Sequence, residues 1–207
     1  MANLTEQILD LIFPPKCEVC GRIGKEALCQ KCAAGISFLA PSIFFHAVGE
    51  YEGILKNAIL RFKFKRIKRL AEPLGLLMVQ YINHHLWKDH LDMIIPVPLH
   101  EKRQAVRGFN QAELLALKIT EACRIPTVSG LLFRKRETAP QFDLPRQKRI
   151  SNIRGAFEVR GAKLLYDRNI LLVDDIYTTG ATAGECTKTL KAAGAKSVHI
   201  LTLSRTV

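Results

Sequence analysis

Four cysteines and two adjacent acids are where this 207-residue sequence concentrates its chemistry. Cys17-x2-Cys20 is followed, after eight residues, by Cys29-x2-Cys32. Each C-x-x-C knuckle presents two thiolates from one tight turn, and two such turns complete a tetrahedral four-sulfur shell of the kind that holds structural Zn²⁺. Protein would fill all four positions and leave none for substrate or water. Gly21 and Gly24 suit the sharp turns beside the first knuckle. A redox pair and iron–sulfur ligation are the competing uses of such cysteines, and a redox pair needs only one knuckle. The second constellation runs from Ile170 to Thr182, reading ILLVDDIYTTGAT. An apolar strand delivers Asp174 and Asp175 to its tip, and a small hydroxyl-rich turn then opens a helix. Backbone N–H groups converge at a helix N-terminus and favour an anion there. Gly180 and Ala181 leave room for oxygens, and Thr178, Thr179 and Thr182 add hydroxyl donors. Carboxylates beside a phosphate cradle suit sugar hydroxyls, a divalent metal, or both. No G-x-x-x-x-G-K-[ST] occurs, which excludes a P-loop nucleotidase.

These groups need elements to hold them. Leu4, Ile8, Leu11 and Ile12 stand at helical spacing and predict a short amphipathic helix ended by Pro14-Pro15. Beyond the cysteines the pattern predicts a strand over 44–51 and helices over 53–64 and 68–85. A strand over 93–98 ends in prolines, and a helix follows over 110–122. Residues 127–133 read as a strand, 134–154 as a long polar, Arg-rich loop, and 156–159 as a short strand. The fully apolar strand 170–173, a helix over 180–193 closed by Gly194, and a strand over 197–203 complete the chain. Such alternation predicts an α/β fold with a mostly parallel central sheet flanked by helices. The expected organisation is a four-cysteine module in residues 1–40 and one larger domain in 41–207. Within that domain, 41–91 form an extension and 92–207 the ligand-binding core. Cys186 shares a helical stripe with Ala183, Leu190 and Ala193 and reads as a packing residue.

Charge narrows the partners. Lys plus Arg number 31 against 19 Asp plus Glu, a net charge of +12. Residues 55–70 carry seven bases and no acid, and residues 100–154 carry twelve bases against five acids. A field of this sign favours polyanions. Arg61-Phe62-Lys63-Phe64-Lys65-Arg66 interleaves charge with aromatic rings, the ingredients of a surface that tracks a single strand. Arg61, Lys63, Lys65 and Arg66 are its nucleic-acid candidates, with at least one of the two phenylalanines expected in the core. Hydrophobic residues at 48% and charged residues at 24% are the composition of a packed globular chain. No run approaches the ~18 apolar residues of a membrane span. The first residues lack a basic stretch and carry Glu6 and Asp10, so the expected location is the cytoplasm.

The 174–182 segment resembles the phosphoribosyl-diphosphate (PRPP) loop of the type I phosphoribosyltransferases. The likeness extends to the ComF family of competence proteins along nearly the whole chain. Its blocks are the four-cysteine module, Tyr51-x-Gly53 with Leu60-Arg61-Phe62-Lys63, Pro96-Val97-Pro98, and Arg103 with Arg107-Gly108-Phe109-Asn110-Gln111-Ala112. Arg136-x-Thr138-x-x-Gln141, Leu144, Arg149-x-x-Asn152 and the 173–182 segment complete the series. The resemblance implies a type I phosphoribosyltransferase-like fold carrying a small N-terminal zinc module. It implies that Thr178, Thr179, Gly180, Ala181 and Thr182 hold the 5-phosphate of PRPP. Asp174 and Asp175 would hold the ribose hydroxyls, directly or around Mg²⁺, and so carry the catalytic role. Arg103 and Arg107 lie where relatives bind pyrophosphate, and Arg136, Arg146 and Arg149 lie in a hood loop that closes over PRPP. The implied chemistry is displacement of pyrophosphate at the ribose C1 by an unspecified acceptor. Purine-salvage relatives place an acid where this chain has Thr178, which speaks against a purine acceptor. The family's association with natural transformation implies handling of incoming single-stranded DNA beside a helicase-like partner. A metabolic phosphoribosyltransferase and a PRPP-sensing regulator without catalysis are the competing readings.

Overall fold

The computed structural model describes residues 11, 13–85, 90–138 and 146–206, without the side chains of residues 146 and 147. The helix expected over residues 4–12 thus falls almost wholly outside the described residues. In chain order the elements are α1 (Gln30–Ala34), β1 (Phe45–Glu50), α2 (Gly53–Phe64), a 3₁₀ turn (Lys68–Leu70) and α3 (Ala71–His85). Then come β2 (Met93–Pro96), α4 (Glu101–Arg107), α5 (Gln111–Cys123), β3 (Leu132–Arg134) and α6 (Arg146–Ile153). The last elements are β4 (Phe157–Val159), β5 (Asn169–Tyr177), α7 (Ala181–Ala192) and β6 (Ser197–Arg205).

β5 is the centre of the architecture. Its Ile170–Val173 run is fully buried because helices cover both faces of a parallel sheet. The sheet order is β1-β6-β5-β2, and every pairing in it is parallel. Leu171, Val173, Leu201 and Leu203 face one core, shared with α2, α3, α5 and the cysteine module through Leu28 and Cys32. Ile170, Leu172 and Ile95 face the other, where α7 contributes Ala183, Cys186 and Leu190. Cys186 is packed there as its helical stripe predicts. In α2, Leu55, Ala58, Ile59 and Phe62 recur at helical spacing and point inward. Asn110 caps α5, its Oδ1 accepting from the Ala112 N–H at 3.1 Å. All four parallel strands end on the same side, so residues at those ends share one surface.

Three stretches differ from expectation. Residues 127–133 do not form one strand: Thr127 makes an isolated bridge to Ile94, and β3 begins at Leu132. Gly130 stands between them at φ +82°, a left-handed conformation that breaks the extended run. β3 then pairs antiparallel with β4 in a separate two-stranded sheet. The 134–154 stretch is not wholly loop, because α6 occupies its end. The segment after Pro98, expected as a loop between the strand over 93–98 and the helix over 110–122, folds instead as α4, which Gly108 stops in the left-handed conformation at φ +80°.

His46 of β1 is buried at 4% exposure, with the Tyr81 ring 6.2 Å and the His199 ring 6.3 Å away. Burial, then the His199 and His85 imidazoles, push its pKa down to about 4. The unfolded chain therefore takes a proton here near pH 6.5 while the folded chain does not until about pH 4. Stability from this group is complete above pH 6.5 and is lost as pH falls through that window. Unfolding titrations at pH 7 and pH 4 should differ by about 3 kcal/mol more in the natural protein than in His46→Gln.

Candidate functional site

The cysteine module brings its four thiols together. Cys17 Sγ lies 3.9 Å from Cys32 Sγ and Cys20 Sγ 3.7 Å from Cys29 Sγ, with all four mutually within 4.8 Å. Zn–S bonds of about 2.3 Å place tetrahedral sulfurs about 3.8 Å apart, so the shell has the size zinc requires. The first knuckle is held by the Cys17 N–H on the Arg22 carbonyl and the Gly21 N–H on the Cys17 carbonyl. Cys29 stands at the N-terminus of α1 and donates its N–H to Cys17 Sγ at 3.4 Å. Burial raises the Cys17 thiol, but the backbone donors of Cys20, Cys29 and Val19 outweigh it and bring it to about 6. Burial and the neighbouring thiols push Cys32 up to about 12. Four thiolates cannot ionise side by side unaided, and a bound dication removes that conflict. Arg69 fastens the module to the domain, with Nε on Glu18 at 2.8 Å and Nη2 on the Lys16 carbonyl.

At the strand tips a cavity of about 330 Å³ opens. β5 brings Asp174 and Asp175 to its wall. The Asp175 N–H donates to Asp174 Oδ1 at 2.8 Å. Burial, then the Asp175 charge, raise Asp174 to about 7, with Lys63 opposing. Lys63 Nζ sits 2.8 Å from both carboxylate oxygens of Asp175. Two adjacent carboxylates, one of them pushed toward neutrality by burial and by the other's charge, are a donor set that a divalent cation suits.

The turn after them takes the predicted form. Gly180 stands at φ +74° and opens α7, while Thr178 and Thr182 face the main cavity. Gly180 and Ala181 line a smaller recess behind it, beside Asp174. Thr179 instead closes the turn, its hydroxyl accepting from the Ala181 N–H at 3.4 Å. The Tyr177 ring packs 3.9 Å from the Phe45 ring and covers Gly180, where an added Cβ would meet its hydroxyl at 2.3 Å. Gly180→Ala therefore faces both the left-handed backbone and the tyrosine. It should cost at least about 1–2 kcal/mol in thermal or denaturant unfolding.

Cations ring the other side. Arg107 on α4 lines the cavity, donates to Gln111 Oε1 at 2.9 Å and lies 5.6 Å over the Phe64 ring. Burial lowers its pKa, and the Asp175 charge opposes that. Arg103 also lines the cavity and donates to the Thr138 carbonyl at 2.7 Å. Arg149 reaches the cavity from α6. Arg136 is turned away from it, donating to the Asn152 and Arg154 carbonyls at 3.0 and 2.9 Å and fastening the end of α6. The Arg146 side chain lies outside the described residues.

Arg134, Tyr51, Gln111 and Lys63 are among the lining residues that lie beyond the sequence-predicted pocket. Arg134 is buried, donates to the Thr138 hydroxyl and lies 5.7 Å over the Phe157 ring. Burial, then Arg103, lower its pKa to about 10. Tyr51 and Gln111 belong to blocks noted in the sequence, but only the folded chain brings them to this wall. Lys63 was a nucleic-acid candidate and its side chain turns into the cavity. In α2, Phe62 is fully buried against Phe109 at 5.5 Å, whereas Phe64 is 51% exposed. Arg61, Lys65 and Arg66 remain on the surface. Lys63, Arg103, Arg107, Arg134 and Arg149 against Asp174 and Asp175 leave the cavity wall positive.

Known proteins resemble this chain in sequence and in fold. The chain is 32% identical over 162 residues to Competence protein F of Haemophilus influenzae, covering 76% of this chain and 71% of that protein. This chain belongs to the ComF family. The DNA utilization protein YhgH of Escherichia coli O157:H7 is 30% identical over 207 residues, covering 92% of this chain and 90% of that protein. Residues 8–43 match the double zinc ribbon domain family, in agreement with the thiol geometry. A solved structure titled as the allosteric regulatory enzyme of purine biosynthesis superposes at a TM-score of 0.50 and 20% identity. It covers 70% of this chain, which spans only 30% of that larger one. The ComF chain thus has a type I phosphoribosyltransferase-like fold, a parallel central sheet flanked by helices, preceded by a structural zinc ribbon. Among the described residues, no helix is long and apolar enough to cross a membrane.

Proposed function

We propose that this ComF protein binds PRPP together with Mg²⁺ at the strand tips, and that it handles single-stranded DNA in the cytoplasm during DNA uptake. One observation carries the reading. Thr178 and Thr182 of the turn, the acid pair and five cations line a single cavity at the carboxyl ends of parallel strands. The 5-phosphate would rest on the turn, with Thr178 and Thr182 donating to it. Asp174 and Asp175 would accept from the ribose hydroxyls and hold the metal. Arg103, Arg107, Arg134 and Arg149 would neutralise the pyrophosphate as its bond to C1 breaks, with developing charge met by groups already in place. Mg²⁺, when bound, supplies further charge stabilisation on the leaving group. Turnover requires an acceptor, and with Thr178 in place of an acid the chain offers that acceptor no carboxylate base at this position.

Exposed Arg61, Lys65 and Arg66 beside half-exposed Phe64 support the single-strand reading, as do the names of the relatives. A helicase-like protein of the uptake machinery is the proposed protein partner. The test is a titration of a short single strand over a salt series with natural protein and Arg61→Gln, Lys65→Gln, Arg66→Gln combined. The expected result is weakened binding and a salt slope reduced by about 2. Undiminished binding would remove this surface from the reading. PRPP binding with no strand binding would instead favour a metabolic transferase, or a PRPP sensor if no acceptor is consumed.

A further inference from the structure

The last turn of α2 is fixed at three successive residues. Phe62 is buried against Phe109, Lys63 Nζ lies on Asp175, and Phe64 carries the Arg107 guanidinium over its ring. The buried Phe62 ring holds the backbone of the turn in place, so any rearrangement there belongs to the lysine side chain. Nζ engages both oxygens of Asp175 at 2.8 Å. A sugar hydroxyl or a divalent cation approaching Asp175 therefore meets a carboxylate with one contact from the Lys63 ammonium already on each oxygen and its charge already countered. Lys63 keeps 19% of its side chain exposed, against 8% for Asp175. The ammonium is a point charge on a flexible four-carbon stem and can leave for water without moving the helix. Its neighbours on the outer side are Arg61, Lys65 and Arg66, all exposed.

We propose that Lys63 is a displaceable counter-ion of the cavity, holding Asp175 while the cavity is empty and joining the basic turn 61–66 when a cation-bearing sugar phosphate takes Asp175. The proposal rests on the reading of the cavity given above and deepens it into a regulation. Loading the cavity adds one positive charge to the surface offered to a single strand. Because coupling between two sites is reciprocal, a bound strand tightens the sugar phosphate by the same factor.

The test uses full-length, zinc-loaded protein and two variants. Calorimetric titration of Mg²⁺ or Mn²⁺ alone reads the competition directly, with no need for PRPP or turnover. Lys63→Gln removes the competing charge and should bind the cation roughly tenfold tighter. Lys63→Arg replaces it by a bidentate fork that is harder to displace and should bind the cation more weakly than the natural protein. Unchanged or weaker cation binding in Lys63→Gln would overturn the proposal. If Lys63→Gln fails to fold, Lys63→Arg decides, and unchanged or tighter cation binding in it overturns the proposal. A second arm measures the salt dependence of oligo-dT binding with and without PRPP. The slope should steepen by about 0.7 on loading in the natural protein and not in Lys63→Gln. A natural protein that takes the cation as described but not PRPP would sink the PRPP reading and leave the counter-ion role standing. An unchanged slope despite PRPP binding would sink the coupling.

Discussion

Replacing Asp174 and Asp175 together by asparagine should weaken PRPP binding in Mg²⁺ by at least about 100-fold, since each carboxylate's hydrogen bonds are worth about 1.5–3 kcal/mol. Asparagine keeps the shape of the strand tip and can still donate and accept, but it cannot carry the charge that a dication needs. The loss cannot be laid to unfolding. Burial and Asp175 already hold the Asp174 carboxyl up to about 7, so removing its charge relieves an unfavourable burial. Losing Asp175 does strand the Lys63 ammonium, whose head is partly exposed and can turn to water. Calorimetry of PRPP binding beside a thermal melt separates the two effects. Full affinity in a folded double variant would remove the acid pair from the site.

Stripping the zinc should produce the largest change in stability. A structural zinc contributes about 10–16 kcal/mol to the folding of a small module, which cannot assemble a four-thiol shell without it. The consequence reaches past the module, because Leu28, Cys17 and Cys32 are buried in the same core as Leu55, Phe62 and Leu74. A strong chelator should therefore expose amides of residues 16–34 to hydrogen exchange and lower the melting temperature of the whole chain. Cys17→Ser and Cys32→Ser, both buried, should reproduce this more fully than Cys20→Ser, whose side chain faces solvent. Elemental analysis should find one zinc per natural chain. A metal-free chain with unchanged melting and exchange would contradict the module's role.

Much of this molecule can be read before it is folded, for identifiable reasons. The four cysteines are close in sequence, so their spacing alone defines the shell. β5 and its turn are likewise one continuous stretch, and its short apolar run bounded by polar residues reads as a strand buried on both faces. The central sheet follows from strand–helix alternation. What spacing does not show is convergence from distant segments. Arg134 ends a strand of three residues that a glycine cuts off from Thr127, so its burial on the cavity wall has no local signature. Lys63 looks like any member of a basic run until the helical turn assigns neighbouring side chains to different surroundings: Phe62 to the core, Lys63 to Asp175, Lys65 to solvent. Arg136 looks like a ligand-reaching residue of a polar loop, yet the carbonyls at the end of α6 take its guanidinium.

The most direct measurement is calorimetric titration of PRPP with Mg²⁺ into the zinc-loaded protein, with and without a short single strand of DNA. One saturable PRPP site per chain that tightens when the strand is present is the predicted result. A folded, zinc-loaded protein that takes up no PRPP in either condition would contradict the account and leave the fold without this ligand.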